Sequence, residues 1–158
     1  MGNNLNLATG FLNLAHQWAK IHSGCRKVQV GAVIVKDEFH VVALGANRAI
    51  PNLCKASQCK RIQLYGEDSK NHRNPEDCRA IHSEIDAICQ SRESLQGASI
   101  YITRYPCEAC ARAIVAAGIS NVYFGRNQKI SSETAKIFDS GDVNCYWISE
   151  WDAEDTTR

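Results

Sequence analysis

The sequence lacks the marks of a membrane protein, an exported protein or a polynucleotide-coating protein. No apolar run approaches the length of a bilayer span. The first residues, Met1-Gly2-Asn3-Asn4-Leu5, have neither the basic start nor the apolar stretch of an export signal. Eighteen Lys and Arg against 17 Asp and Glu leave a net charge of +1, too little of one sign to blanket nucleic acid or an anionic membrane. Aromatics are 8% of the chain and do not cluster with the basic residues, which argues against a groove that stacks successive bases. These absences make a cytoplasmic globular protein the expectation.

What is present fits one domain. A chain of 158 residues, 44% apolar, can bury a single core without staples. Leu7, Phe11, Leu14, Ala15, Trp18 and Ile21 recur at spacings of three and four, predicting an amphipathic helix over 5–22. Val28 to Val35 reads as a buried strand, and Lys36-Asp37-Glu38 as a turn into a second strand, His40 to Leu44. Residues 47–80 lose all periodicity, and a stretch this long needs something to tie it down. Helices are then expected near 82–92, 107–117 and 132–139, and strands near 98–103, 121–125 and 143–149. The alternation predicts a three-layer α/β/α sandwich: one mixed five-stranded sheet with helices on both faces. A single domain would span 1–150 with an insertion at 47–80, followed by a loose polar tail at 151–158.

Eight cysteines without an export signal point to metal ligands and buried thiols rather than disulfides. Cys89 and Cys145 fall inside apolar patterns and read as core residues. Two fragments carry chemistry. His82-Ser83-Glu84 opens one expected helix, and Pro106-Cys107-Glu108-Ala109-Cys110 opens another directly after a strand. Together they match the H-x-E…P-C-x-x-C pattern of zinc deaminases. Cysteines three apart in a first turn can both reach one ion, and the positive end of a helix favours thiolates there. One imidazole and two thiolates leave the fourth tetrahedral position to water, the mark of a catalytic zinc. Two residues from His82 in a regular helix, Glu84 would point away. At a helix entrance both can face one cavity, where Glu84 would carry protons.

Gly24 to Asp37, Gly45-Ala46-Asn47, Cys78 to Ile88 and Ile100 to Cys110 resemble the corresponding segments of the deoxycytidylate (dCMP) deaminase branch of the cytidine deaminase superfamily, from about Ser23 to Gly125. The resemblance implies hydrolytic conversion of dCMP to dUMP and ammonia in pyrimidine nucleotide metabolism. It also implies a nucleotide contact at Asn47, base-edge contacts near Ser83, a homo-oligomer, often a hexamer, and in some members nucleotide effectors. Many members fix the insertion with a second, structural zinc. Cys25, Cys54, Cys59, His72 and Cys78 supply more candidate ligands than its four positions need. The chain departs from the family pattern at four positions. Ala46 and Arg48 stand where G-Y-N-G has tyrosine and its second glycine, Ser83 replaces alanine in H-A-E, and Asp86 stands for the asparagine two residues after the glutamate.

From Arg48 to Arg79 seven Lys or Arg face four acids, which suits a nucleotide phosphate. Arg48, Lys60, Arg61 and Arg79 are the candidates there, and Tyr105 is a candidate to stack on the base or simply to pack at a strand end. Two competing readings are a deaminase acting on another cytosine nucleotide or a polynucleotide, and a catalytically silent zinc module.

Overall fold

The computed structural model describes residues 2–25, 27–55, 57–66, 77–126 and 131–151. Five strands form one mixed sheet in the order β2-β1-β3-β4-β5: β1 Gly31–Lys36, β2 His40–Ala46, β3 Ser99–Arg104, β4 Asn121–Arg126 and β5 Asn144–Trp147. β1 pairs antiparallel with β2 and β3, while β3, β4 and β5 run parallel. The carboxyl ends of β2 and β3 therefore lie at the same edge of the layer, where open α/β sheets place their ligands.

Side-chain alternation along β1 sets the layers. Val33 and Val35 face α1 (Gly2–His22), whose Ala8, Leu12 and Ala15 pack on them at helical spacing. Ala32 and Ile34 face the opposite side with Ile100, Ile102 and Val122. That side is covered by α3 (Ser83–Gln90), α4 (Glu108–Ala116) and α5 (Ser132–Ser140), through Ala87, Ala111, Ile114 and Phe138. The expected three-layer sandwich is observed. Among the described residues no helix is long and apolar enough to cross a membrane.

Four local expectations are corrected. β1 begins at Gly31 rather than Val28. The Asn47 side chain takes the strand's place there, its Nδ2 donating to the Val28 carbonyl at 2.9 Å and its Oδ1 accepting from the Val30 amide at 2.8 Å. The 47–80 stretch is not wholly irregular: Lys60–Tyr65 forms a short helix, α2, held by Lys60 and Tyr65 on the Asp77 carboxylate at 2.8 and 2.7 Å. Cys89 and Cys145 are exposed, not core. Cys89 lies on the outer face of α3, and Cys145 on an edge strand whose four residues are all exposed. Trp151 does not belong to a loose tail. Its buried ring donates from Nε1 to Asn13 Oδ1 at 2.9 Å, fastening the chain to α1, and 152–158 lie outside the described residues.

Gly45 brings α3 close to β2. A methyl there would overlap the Ser83 carbonyl and lie 2.5 Å from the Ala87 amide nitrogen. Gly45→Ala should lower stability by ~1–3 kcal/mol through overpacking against backbone that cannot yield. Thermal unfolding checks this, and an unchanged midpoint would contradict the close packing.

Candidate active site

The site assembles where two helices begin. His82 precedes α3 in extended geometry (φ −74°, ψ 152°), and Cys107 precedes α4 likewise (φ −79°, ψ 171°). Both are cap residues, so Cys107 is not on the helix face that sequence spacing suggests; only Cys110 is helical. The cap geometry frees His82 from the helical phase, and its imidazole and the carboxylate of Glu84 turn to the same place. Buried Pro106 leads into the cap at Cys107.

His82 Nδ1 lies 3.5 Å from Cys107 Sγ and 3.4 Å from Cys110 Sγ, and the three donor atoms fall within 4.8 Å of one another. A tetrahedral zinc with Zn–N of about 2.0 Å and Zn–S of about 2.3 Å has nitrogen–sulfur edges of roughly 3.5 Å, so the residues fit the ion. Hydrogen bonding from Cys110, and then from His82, pulls Cys107 down to about 4 against the effect of burial. Hydrogen bonds to Cys107 and Cys78 raise His82 to about 10. The Cys107 bond and burial push Cys110 strongly upward. Positive charge gathers around a thiolate at a place where a cation can replace it.

Glu84 is buried beside this cluster. The Cys110 thiol lies beside its carboxylate, which helps push that thiol up, and the wholly buried Ser83 hydroxyl donates to Oε2 at 3.1 Å. Burial raises its carboxyl above the usual range, against the opposing pull of the neighbouring His82 charge. A carboxyl so placed can hold a proton, and next to a metal it can pass one on.

The other expected site residues are placed differently from one another. Asn47 is buried at the end of β2, and its side chain is largely committed to the fold: Val28 and Val30 as above, and Ser23 Oγ donating to Oδ1 at 2.6 Å. Of the amide's two hydrogens, one is taken by Val28. Arg48 places its guanidinium on Asp86 at 2.6 Å. Tyr105 packs edge-on against Phe124, with ring centroids 4.9 Å apart. Lys60 pairs with Asp77, Arg61 is buried, and Arg79 is exposed.

Cys25, Cys54, Cys59 and Cys78 line one cavity, with Lys27, Arg61 and Arg79 on its walls. They are drawn together less tightly than the His82 set. Backbone N–H groups nonetheless point at two of the sulfurs, Lys27 at Cys25 (3.4 Å) and Ile50 at Cys54 (3.3 Å). Burial raises Cys54, and the nearness of Cys78, Cys25 and Cys59 adds to that. Cys78 touches both clusters: burial raises its thiol, but a hydrogen bond to His82 and the charge of Arg61 bring it below its ordinary value. His72 lies outside the described residues.

The chain matches the family model described as the cytidine and deoxycytidylate deaminase zinc-binding region over residues 6–126. It is 38% identical over 118 residues to the deoxycytidylate deaminase of Mycobacterium phage D29, covering 72% of this chain and 90% of that protein. It is 32% identical over 138 residues to ComE operon protein 2 of Bacillus subtilis (strain 168), covering 84% of this chain and 66% of that protein's length. Its fold is similar to the crystal structure of a cyanophage S-TIM5 dCMP deaminase in complex with dCMP and dUMP. There the TM-score is 0.65 at 22% identity, over 87% of this chain and 93% of that one.

Proposed function

The chain belongs to the cytidine and deoxycytidylate deaminase zinc-binding family, and from that premise we propose that it hydrolyses dCMP to dUMP and ammonia. The observation that carries this reading is the Glu84 carboxylate held against the His82, Cys107 and Cys110 donor set. A structural site has no use for a buried acid at that position.

His82, Cys107 and Cys110 would hold zinc, which supplies Lewis acidity that makes water nucleophilic near neutral pH. Glu84 takes the proton of the attacking water and delivers it to the ring nitrogen N3 as the oxygen bonds to C4. It then moves the remaining hydroxyl proton to the amino nitrogen, the C4–N bond breaks, and ammonia leaves. The Ser83 hydroxyl fixes Oε2, leaving the other carboxylate oxygen to face the ring.

dCMP is preferred because the phage relative is named a deoxycytidylate deaminase and the S-TIM5 enzyme is described with dCMP and dUMP bound. The near-neutral chain adds to this, since a polynucleotide would call for a broad basic surface. Zinc-loaded protein incubated with dCMP, CMP, cytidine, dCTP and single-stranded DNA should show its highest kcat/KM on dCMP. Activity confined to the polynucleotide would contradict the reading.

The cysteine-lined cavity suits a second, structural zinc held by Cys25, Cys54, Cys59 and Cys78. It would fasten an insertion too polar to bury itself. Metal analysis should then give about two zinc ions per chain, and Cys59→Ser about one. About one in the parent protein would remove the second site. A homo-oligomer in a reducing cytoplasm completes the proposal.

A further inference from the structure

Two of the chain's departures from the family pattern touch each other. Arg48 stands where the family's glycine loop has its second glycine, and Asp86 stands for an asparagine. In the fold, Arg48 Nη2 meets Asp86 Oδ1 at 2.6 Å. The other carboxylate oxygen, Oδ2, accepts from the Ala46 amide at 3.1 Å, and Gln90 Nε2 approaches Oδ1 at 3.4 Å. Asp86 is buried and Arg48 half exposed. The Arg48 backbone exchanges two 2.9 Å hydrogen bonds with Ile81, the residue before His82.

These contacts share one geometric result. The 46–48 segment carries Asn47, and α3 carries Glu84 two residues after His82. The Asp86 carboxylate binds the segment on both sides of Asn47, at Ala46 and at Arg48. It is a charged carboxylate in a nearly dry place, with its lone pairs met by three donors. Such a group is costly to leave half-satisfied. An asparagine facing a glycine would need no countercharge, whereas an aspartate facing an arginine needs both partners at once.

We propose that Asp86 and Arg48 act as a coupled positioning pair, setting the Asn47 segment against the start of α3 so that the nucleotide is received in register with His82 and Glu84. The inference rests on the deaminase reading. On this proposal Arg48 acts through Asp86 rather than on the phosphate, and the double variant separates the two roles.

The test is a cycle of Asp86→Asn, Arg48→Gly and the double variant, each zinc-loaded. Each single variant should raise KM for dCMP about tenfold, with kcat changed by no more than about threefold, because the zinc ligands and Glu84 stay in place. The double variant should return KM to within about threefold of the parent. An arginine that bound phosphate directly would leave the double variant as weak as Arg48→Gly, overturning the proposal, as would additive losses. Hydrogen exchange at the Ala46 and Arg48 amides reads the pair without turnover. Both should exchange faster in each single variant and be protected again in the double. Equal protection in all four proteins overturns the pair. A parent that holds zinc yet leaves every nucleotide intact overturns the deaminase reading instead, and the exchange pattern still decides whether the pair holds the segment.

Discussion

Glu84→Gln should abolish dCMP turnover, with a loss of about 10⁴-fold in kcat or more, while zinc content stays at the parental value. The size follows from the number of proton transfers assigned to one group. General acid–base assistance by a positioned carboxyl contributes up to about 10⁴-fold to one reaction, and here the same carboxyl serves the water, the ring nitrogen and the leaving ammonia. Glutamine keeps the shape and still accepts from the Ser83 hydroxyl, so the pocket stays filled. It cannot take a proton. KM should move little, because the change falls on the transition state rather than on nucleotide binding. Steady-state kinetics with metal analysis on the same preparation decides the point, and a variant keeping a tenth of the parental rate would take the proton-carrying role from Glu84.

Cys110→Ser should lose both zinc and activity. Cys110 is the helical member of the donor set, buried and in contact with both His82 and Glu84. A serine hydroxyl does not deprotonate near neutral pH and is a poor zinc ligand. Loss of an outer-shell partner costs about 10–100-fold in metal affinity, and loss of a direct ligand should exceed that. Competition with a chromophoric chelator measures the affinity. The same variant should unfold at a lower temperature than the zinc-loaded parent, since metal bound only by the folded state is stabilising. Parental zinc affinity in Cys110→Ser would mean that the ion sits elsewhere.

The His82, Cys107 and Cys110 cluster was legible in the sequence because its logic is local. His82, Glu84, Cys107 and Cys110 lie in two short fragments, each at a helix start, and cap geometry needs only a few residues to specify. The layer order was legible too, since Val33 and Val35 against Ala32 and Ile34 alternate with the pleat. Tertiary partners were not. Nothing in Val28-Gln29-Val30 tells that an asparagine side chain 17 to 19 residues later takes up their backbone groups. Cys89 and Cys145 carry apolar-looking patterns, yet burial depends on which side of α3 and β5 is covered. Trp151 sits in a polar run, and its partner Asn13 is at the other end of the chain.

Arg48 and Asp86 could each be recognised as a departure, but only the fold shows that the two departures meet. A signal was present: a charge gained at each of two positions, of opposite sign.

The central claim is that the His82, Cys107 and Cys110 centre with Glu84 exchanges the cytosine amino group for oxygen from water. The most direct measurement is turnover of dCMP by zinc-loaded protein in ¹⁸O-labelled water, with ammonia and dUMP counted together. We expect one ammonia per dUMP, the label in the new C4 carbonyl, and neither product from Glu84→Gln. Unchanged dCMP in the presence of folded, zinc-loaded parent protein would contradict the account.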